Sequence, residues 1–373
     1  MKLDLDISTF LSHYWQQRPT LFKAALPDFV DPLSPDELAG LALEEDVSSR
    51  IIVRDGAQWR SEPGGREDYS ELGEANWQLL VQAVNHHDPD AQALCHAFRF
   101  LPDWRFDDLM ISFATPGGGV GPHIDNYDVF IIQGEGERRW QVGPKGDYAA
   151  RPNSGGMALV EDFNPIIDAV MSPGDVLYIP PGYPHCGQTL TPSLSYSLGY
   201  RAPSQAELLS AVADTAVDLG LGQQRFTSSE EHQNPALVSQ QQQHQMLSMV
   251  QALLEQPGLW QHTLGRLLSQ NRFELAPCPP QPPLQAAEVD AALADGAELV
   301  RLEGLKVLQL EGDNTLTLYL DGDDYSLSEG LKSAAQCLCQ APTLSTAEWA
   351  PVWRTQPDLL LTWLNLGYWR LES

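Results

Sequence analysis

The residues with the clearest chemical content lie in stretch 117–133, GGGVGPHIDNYDVFIIQ, where His123 and Asp125 stand two apart at the start of an apolar run. On a strand, alternate side chains share a face, so His123, Asp125 and Tyr127 are expected to point the same way. An imidazole and a carboxylate so placed can grip one metal ion. The glycines before them let the backbone approach a ligand with no Cβ in the way. A second stretch, SPGDVLYIPPGYPH at 172–185, supplies His185 after a Pro-Gly turn, a short apolar strand and a Pro-Pro-Gly breaker. Two histidines and one carboxylate on one face of a metal leave three open positions, which suits Fe(II) and O2 chemistry.

Those open positions can take a bidentate 2-oxo acid and then O2. Such a cosubstrate, 2-oxoglutarate, has a far carboxylate that needs a buried cation, and Arg138 and Arg139 are the candidates. Trp140 shares a face with Arg138, and a buried indole argues that this face is the inner one. A planar guanidinium there can take the carboxylate with two hydrogen bonds.

The elements that must position these groups read as follows. Residues 1–105 form an α+β leader, with helices over 7–15, capped by Ser8, over 35–43, and over 75–84. Residues 106–201 read as many short strands. On the first, Leu109, Ile111 and Phe113 share one face, while Asp108, Met110 and Ser112 share a face too polar for a core. The metal strand is expected to continue through 129–133, turn at Gly134-Glu135-Gly136 as a hairpin, and return over 138–142. The last strand, 193–201, sets Leu194, Tyr196, Leu198 and Tyr200 against Ser195, Ser197, Gly199 and Arg201. After Ala202-Pro203 the pattern becomes helical, opened by a capping box at 204–207. Helices over 246–254 and 259–268 either pack on a partner subunit or cover the barrel. A Pro-rich linker at 276–283 precedes a C-terminal module with strands over 298–302, 306–310 and 315–320 and helices over 288–294, 328–339 and 357–366. That mixture suggests a winged helix.

Composition narrows the partners. The net charge of −28 and pI of about 4.4 disfavour nucleic acid and anionic membrane and favour basic substrates. Residues 284–373 carry 14 Asp and Glu against 5 Lys and Arg, so the winged helix lacks the basic face of a DNA reader and is expected to be structural or protein-binding. The 5 cysteines form no CxxC pair and fit a reducing cytoplasm. The first residues lack the basic start and apolar core of a signal peptide, and no apolar run approaches spanning length.

The run 117–140, the arginine two residues before Trp140 and the PGDVLYIPPGYPH stretch resemble the JmjC/cupin 2-oxoglutarate oxygenases. With HYWQQRP at 13–19 and SLGYRAPSQAEL at 197–208, the chain is similar to one branch, the bacterial ribosomal oxygenases, which hydroxylate an arginine of large-subunit ribosomal protein sixteen. The resemblance implies an α+β chain built on a double-stranded β-helix (the cupin/JmjC jelly roll), with a helical dimerisation region and a C-terminal winged-helix-like domain. The expected boundaries are 1–203 for the catalytic domain, with the barrel at about 106–201, then 204–276 and 284–373. It implies His123, Asp125 and His185 as Fe(II) ligands. It implies Arg138 as the 2-oxoglutarate binder, where many relatives carry Lys, with Ser112 beside it.

For a guanidinium substrate the pocket needs a carboxylate and apolar walls. Asp108, Met110, Tyr127, Ser197 and Arg201 are the candidate contacts. The expected activity is hydroxylation of a ribosomal-protein arginine by a cytoplasmic homodimer that uses Fe(II), 2-oxoglutarate and O2 and binds neither nucleic acid nor membrane. The competing readings are a JmjC-type lysine demethylase and a non-enzymatic acidic cupin scaffold for basic ribosomal proteins.

Overall fold

A computed structural model describes residues 2–56, 58–152, 157–228, 234–313 and 315–372. Two compact units emerge. The first comprises residues 1–202 together with 272–278 and 302–304; the second holds 203–271, 279–301 and 305–373.

The first unit is built on twelve strands: β1 (Thr20–Phe22), β2 (Ser49–Asp55), β3 (Gln58–Pro63), β4 (Trp77–Val81), β5 (Phe106–Ala114), β6 (His123–Ile124), β7 (Asp128–Gln133), β8 (Arg138–Val142), β9 (Ile167–Met171), β10 (Val176–Ile179), β11 (Pro184–Thr189) and β12 (Ser193–Tyr200). They form an eight-stranded sheet in the order β1-β10-β7-β12-β5-β4-β2-β3 and a four-stranded sheet in the order β6-β11-β8-β9. The pairings within both sheets are antiparallel. This is the double-stranded β-helix expected from the sequence.

Strand β7 is buried on both faces, which explains why its centre, residues 129–132, is apolar rather than alternating. The outer face of the large sheet packs under three helices, α1 (Ile7–His13), α2 (Pro35–Leu41) and α3 (Pro89–His96). Phe10, Leu38, Phe98, Leu109, Ile111, Phe130, Tyr178 and Tyr196 form one core there. The inner face carries Val129 and Ile131 from β7, packed with Trp140, Val142, Met171, Leu177 and Ile179. Leu109 and Ile111 face outward to the helices, so their neighbours Asp108, Met110 and Ser112 look into the barrel.

Several expectations change. Stretch 75–84 holds the strand β4, not a helix: Trp77, Leu80 and Val84 fit helical spacing, but the segment is inserted between β2 and β5 and buried throughout. Asn76 and Ala83 bracket it with φ of 66° and 50°, values no right-handed helix accepts. The α1 cap is Asp6, whose carboxylate accepts from the Thr9 amide at 3.1 Å, rather than Ser8. Residues 123–124 and 128–133 are not one strand: β6 belongs to the small sheet and β7 to the large one. Likewise β7 and β8 do not form a hairpin, because the Gly134-Glu135-Gly136 turn carries the chain from one sheet to the other.

The second unit contains α4 (Gln205–Asp218), α5 (Gln240–Leu254), α6 (Leu259–Ser269) and α7 (Ala286–Asp295), then β13 (Glu298–Arg301), β14 (Val307–Leu308), β15 (Leu316–Leu320), β16 (Asp323–Leu327), α8 (Lys332–Gln340), β17 (Thr343–Leu344), α9 (Thr346–Thr355), α10 (Pro357–Asn365) and β18 (Trp369–Glu372). Ser204 and Glu207 form the expected capping box at α4. Helix α9 escaped the sequence reading because Pro351 lies inside it and reads as a break. Trp349, Trp363 and Trp369 are fully buried here. Among the described residues no helix is long and apolar enough to cross a membrane.

Candidate active site

His185 on β11 and His123 on β6 are direct cross-strand partners, with ring centroids 4.3 Å apart. Asp125 follows in the bend that leaves β6 for β7. Its carbonyl accepts the Gly182 N–H at 2.9 Å, which ties the bend to the Pro-Pro-Gly turn ahead of His185. Gly182 takes φ of 88°, a left-handed conformation that favours glycine. The three side chains offer one ligand atom each, all within 4.8 Å of one another. Asp125 Oδ2 lies 3.6 Å from His185 Nε2 and 3.9 Å from His123 Nε2.

The rings are oriented by main-chain carbonyls. His123 Nδ1 lies 2.9 Å from the Gly121 oxygen and His185 Nδ1 lies 3.1 Å from the Tyr183 oxygen. A carbonyl only accepts, so each Nδ1 carries a proton, and each Nε2 is the ring nitrogen left facing Asp125. Burial, then the neighbouring His123, pushes the His185 pKa down, so its imidazole stays neutral. Two imidazoles and a carboxylate form the donor set of a divalent metal.

Arg138 lines the same cavity as this cluster. It is 4% exposed, whereas Arg139 points outward to Asp168. The Arg138 guanidinium donates to the hydroxyl and carbonyl of Ser112 (2.8 and 2.9 Å) and to the hydroxyl and carbonyl of Ser193 (2.8 Å each). Among the described residues no carboxylate pairs with it. Burial pushes its pKa down to about 9, the mark of a cation that lost its hydration without gaining a counter-charge. Two further buried groups lining the same cavity, Trp140 Nε1 and Ser195 Oγ, have no hydrogen-bond partner among the described residues. An unpaired cation beside unsatisfied polar atoms fits an anionic, oxygen-rich guest.

The cavity is also lined by Asp108, Met110, Ser112, Tyr127 and Ser197. The structure thus brings nine of the ten sequence candidates together. Arg201 is the exception and a correction: it does not line the cavity. Strict alternation placed it with Ser197 and Gly199, but the register of β12 against β5 shifts beyond Leu198. Arg201 instead donates its amide to the Arg105 carbonyl, and its guanidinium stands 4.0 Å from Asp107. Sequence reasoning missed Ser193 as an Arg138 partner and gave Ser195 no role, although both sit at alternate positions of β12. It missed Gln78 in the wall because that segment was read as a helix.

Comparison with known proteins bears directly on this geometry. A JmjC domain model matches residues 93–208 and a ROXA-like winged helix model matches 252–370. The Escherichia coli ribosomal protein uL16 3-hydroxylase is 43% identical over all of this chain and 99% of its own length. The chain belongs to the JmjC ribosomal oxygenase family. A probable ribosomal oxygenase of Haemophilus influenzae is 32% identical over 84% of this chain and 80% of its own. The solved structure of the E. coli ribosomal oxygenase YcfD in complex with cobalt and 2-oxoglutarate superposes with a TM-score of 0.91, at 42% identity, over 100% of this chain and 99% of that one. Membership makes the protein an enzyme and sets aside the non-enzymatic scaffold.

Two glycines of this oxygenase shape the floor of the site. A Cβ at Gly119 would overlap the Gly187 carbonyl oxygen on β11, the strand that carries His185. A Cβ at Gly187 would stand 2.9 Å from the Trp140 ring. The Gly119→Ala protein is expected to lose about 1–3 kcal/mol, the usual cost of overpacking against unyielding neighbours. Urea unfolding of the two proteins side by side measures this, and equal midpoints would show that the backbone yields freely.

Proposed function

We propose that this oxygenase uses Fe(II), 2-oxoglutarate and O2 to hydroxylate an arginine side chain of a large-subunit ribosomal protein. The observation that carries the reading is one cavity holding the His123-Asp125-His185 cluster, a buried cation without a counter-charge, and the carboxylate of Asp108. The E. coli relative's action on ribosomal protein uL16 supports the substrate class. The cobalt and 2-oxoglutarate complex of YcfD supports the cofactors.

His123, Asp125 and His185 would hold the metal, with the carbonyls of Gly121 and Tyr183 fixing both imidazoles. Bound there, ferrous iron supplies the activation of O2 that couples 2-oxoglutarate decarboxylation to hydroxylation. Arg138, with Ser112 and Ser193 locking its fork, would receive the far carboxylate of 2-oxoglutarate and orient it toward the cluster. Trp140 Nε1 and Ser195 Oγ are free to donate to its oxygens. Met110 and Tyr127 would flank a flat guanidinium, with Asp108 and Ser197 taking hydrogen bonds from it. Tyr127 stays protonated as a neutral phenol, because burial, then Asp125 and Asp108, push its pKa up.

The dimer is part of the same reading. Leu209 and Val217 on α4, with Met246, Leu247 and Val250 on α5, are exposed. Apolar side chains in such number support a homodimer through the helical region 204–276, with 284–373 as the winged-helix domain. The −28 charge supports a cationic protein substrate in the cytoplasm over nucleic acid or membrane.

Three measurements test the reading. Asp125→Ala should remove turnover and weaken cobalt binding, followed by calorimetry, by about ten-fold or more while the circular dichroism spectrum is unchanged; full activity in that protein would exclude the cluster as the metal site. Arg138→Ala should raise the KM for 2-oxoglutarate about a hundred-fold or more, given the roughly 3–5 kcal/mol cost of breaking a buried ion pair. Arg139→Ala should leave it unchanged, and the reverse ranking would place the wrong arginine inside. Finally, mass spectrometry of paired peptides should find one added oxygen on an exposed arginine and little on lysine, because an ammonium is not an equivalent guest. Equal oxidation of the lysine peptide, or loss of a methyl group from a methylated one, would instead favour the demethylase.

A further inference from the structure

The start of β5 breaks the ordinary pleat. Leu109 pairs with Leu198 and Phe106 with Tyr200, so Asp107 and Asp108 together oppose the single residue Gly199. This is a β-bulge, and it turns two adjacent side chains that would face apart toward one side. The surroundings of Gly199 report it. A Cβ there would stand 3.6 Å from Asp107 Cβ, 3.7 Å from Asp108 Oδ1 and 3.7 Å from the Tyr127 ring. Asp107 and Asp108 are 8% and 5% exposed. Two carboxylates so close and so buried repel one another and require a cation.

Arg272, from the 272–278 segment of the same unit, provides one. Its Nη2 lies 3.0 Å from Asp107 Oδ2 and 3.6 Å from Asp108 Oδ1, with the guanidinium 4.4 Å from the Phe273 ring centre. The arrangement is a guanidinium against an aromatic ring and carboxylates, the chemistry proposed above for the substrate. Yet Arg272 is weakly held. Its side chain is 43% exposed although its carboxylates are buried, so water screens the pair from the arginine side and weakens it. Its two carboxylates also have other partners. Asp108 Oδ2 accepts the Ala83 N–H at 3.0 Å, and Asp107 has Arg201 at 4.0 Å.

We propose that Arg272 is an internal stand-in for the substrate guanidinium, keeping the Asp107–Asp108 pair neutralised until an incoming arginine displaces it from Asp108. The inference rests on the arginine-substrate reading. Arg272 then helps determine specificity. A side chain that enters must replace a planar cation with another, and neither a neutral group nor a single-point ammonium does so as well. No bond is made or broken by Arg272, and it is not among the residues that line the cavity of the metal cluster and Arg138.

The test compares the full-length enzyme with Arg272→Ala and Arg272→Gln. Removing the competitor should lower the KM for an arginine peptide about three- to five-fold, the range that an ion pair screened on its arginine side allows. The kcat and the peptide-independent turnover of 2-oxoglutarate should not change. A KM that is unchanged or raised in the folded variants overturns the proposal, since Arg272 would then be idle or a prop for the carboxylates. Should the wild-type enzyme leave arginine peptides untouched, it is the arginine reading that fails. Calorimetric titration with argininamide then decides the stand-in separately: tighter binding to the variants upholds it, and equal or weaker binding overturns it. Circular dichroism identifies a variant that fails to fold, and the other then carries the comparison.

Discussion

The buried guanidinium of Arg138 is the interaction on which the arrangement of this barrel turns. It starts from β8 in the small sheet and donates to Ser112 on β5 and Ser193 on β12, both in the large one. One side chain therefore clamps the two sheets together. The four bonds satisfy its geometry but not its charge. A cation without a counter-ion in low dielectric is costly, and on the function proposed above that cost would become selectivity for a dianion. On the function proposed above, the same residue is both a structural bolt and the receptor for the far carboxylate of 2-oxoglutarate, with its serine partners holding the fork.

The rest of the site follows from how the chain passes between the sheets. The bend at 125–127 lifts the chain out of the small sheet just after His123, which leaves Asp125 at the seam rather than on a regular pleat. Pairing of β6 with β11 then fixes the two histidines opposite each other over only two register positions. So short a strand is held by what surrounds it: the Gly182 amide on Asp125, and the glycines that let β11 lie close against both Gly119 and Trp140.

Much of this was legible in the sequence, and the residues show why. His123, Asp125 and His185 declare themselves by type, because few other roles gather two imidazoles and a carboxylate around glycine-rich turns. Arg138 could be told from Arg139 because Trp140 marks the buried face of β8. The doubly buried strands were harder. In β4 a run of apolar residues satisfies both the helical and the extended period, and only its neighbours decide. Arg201 was misplaced because a register shift breaks the alternation that the inference assumed. Arg272 had no local signal at all, since nothing in its own segment indicates that it returns to β5. The failures share a cause: each depends on a contact between segments far apart in the chain, whereas the successes depend on side-chain chemistry or on pattern within one strand.

The two imidazoles are steadied by main-chain oxygens, those of residues 121 and 183, rather than by a carboxylate or an amide side chain. Every amino acid owns such an oxygen. The orientation that leaves each Nε2 facing Asp125 is therefore inherited from the path of the backbone and does not depend on which side chain occupies position 183. Tyr183 spends its own hydroxyl elsewhere, on the carbonyl of Gln17. Over evolutionary time the chemistry of the centre and the packing beside it can drift separately: substitutions at 183 that preserve the chain path alter that packing without retuning the two imidazoles.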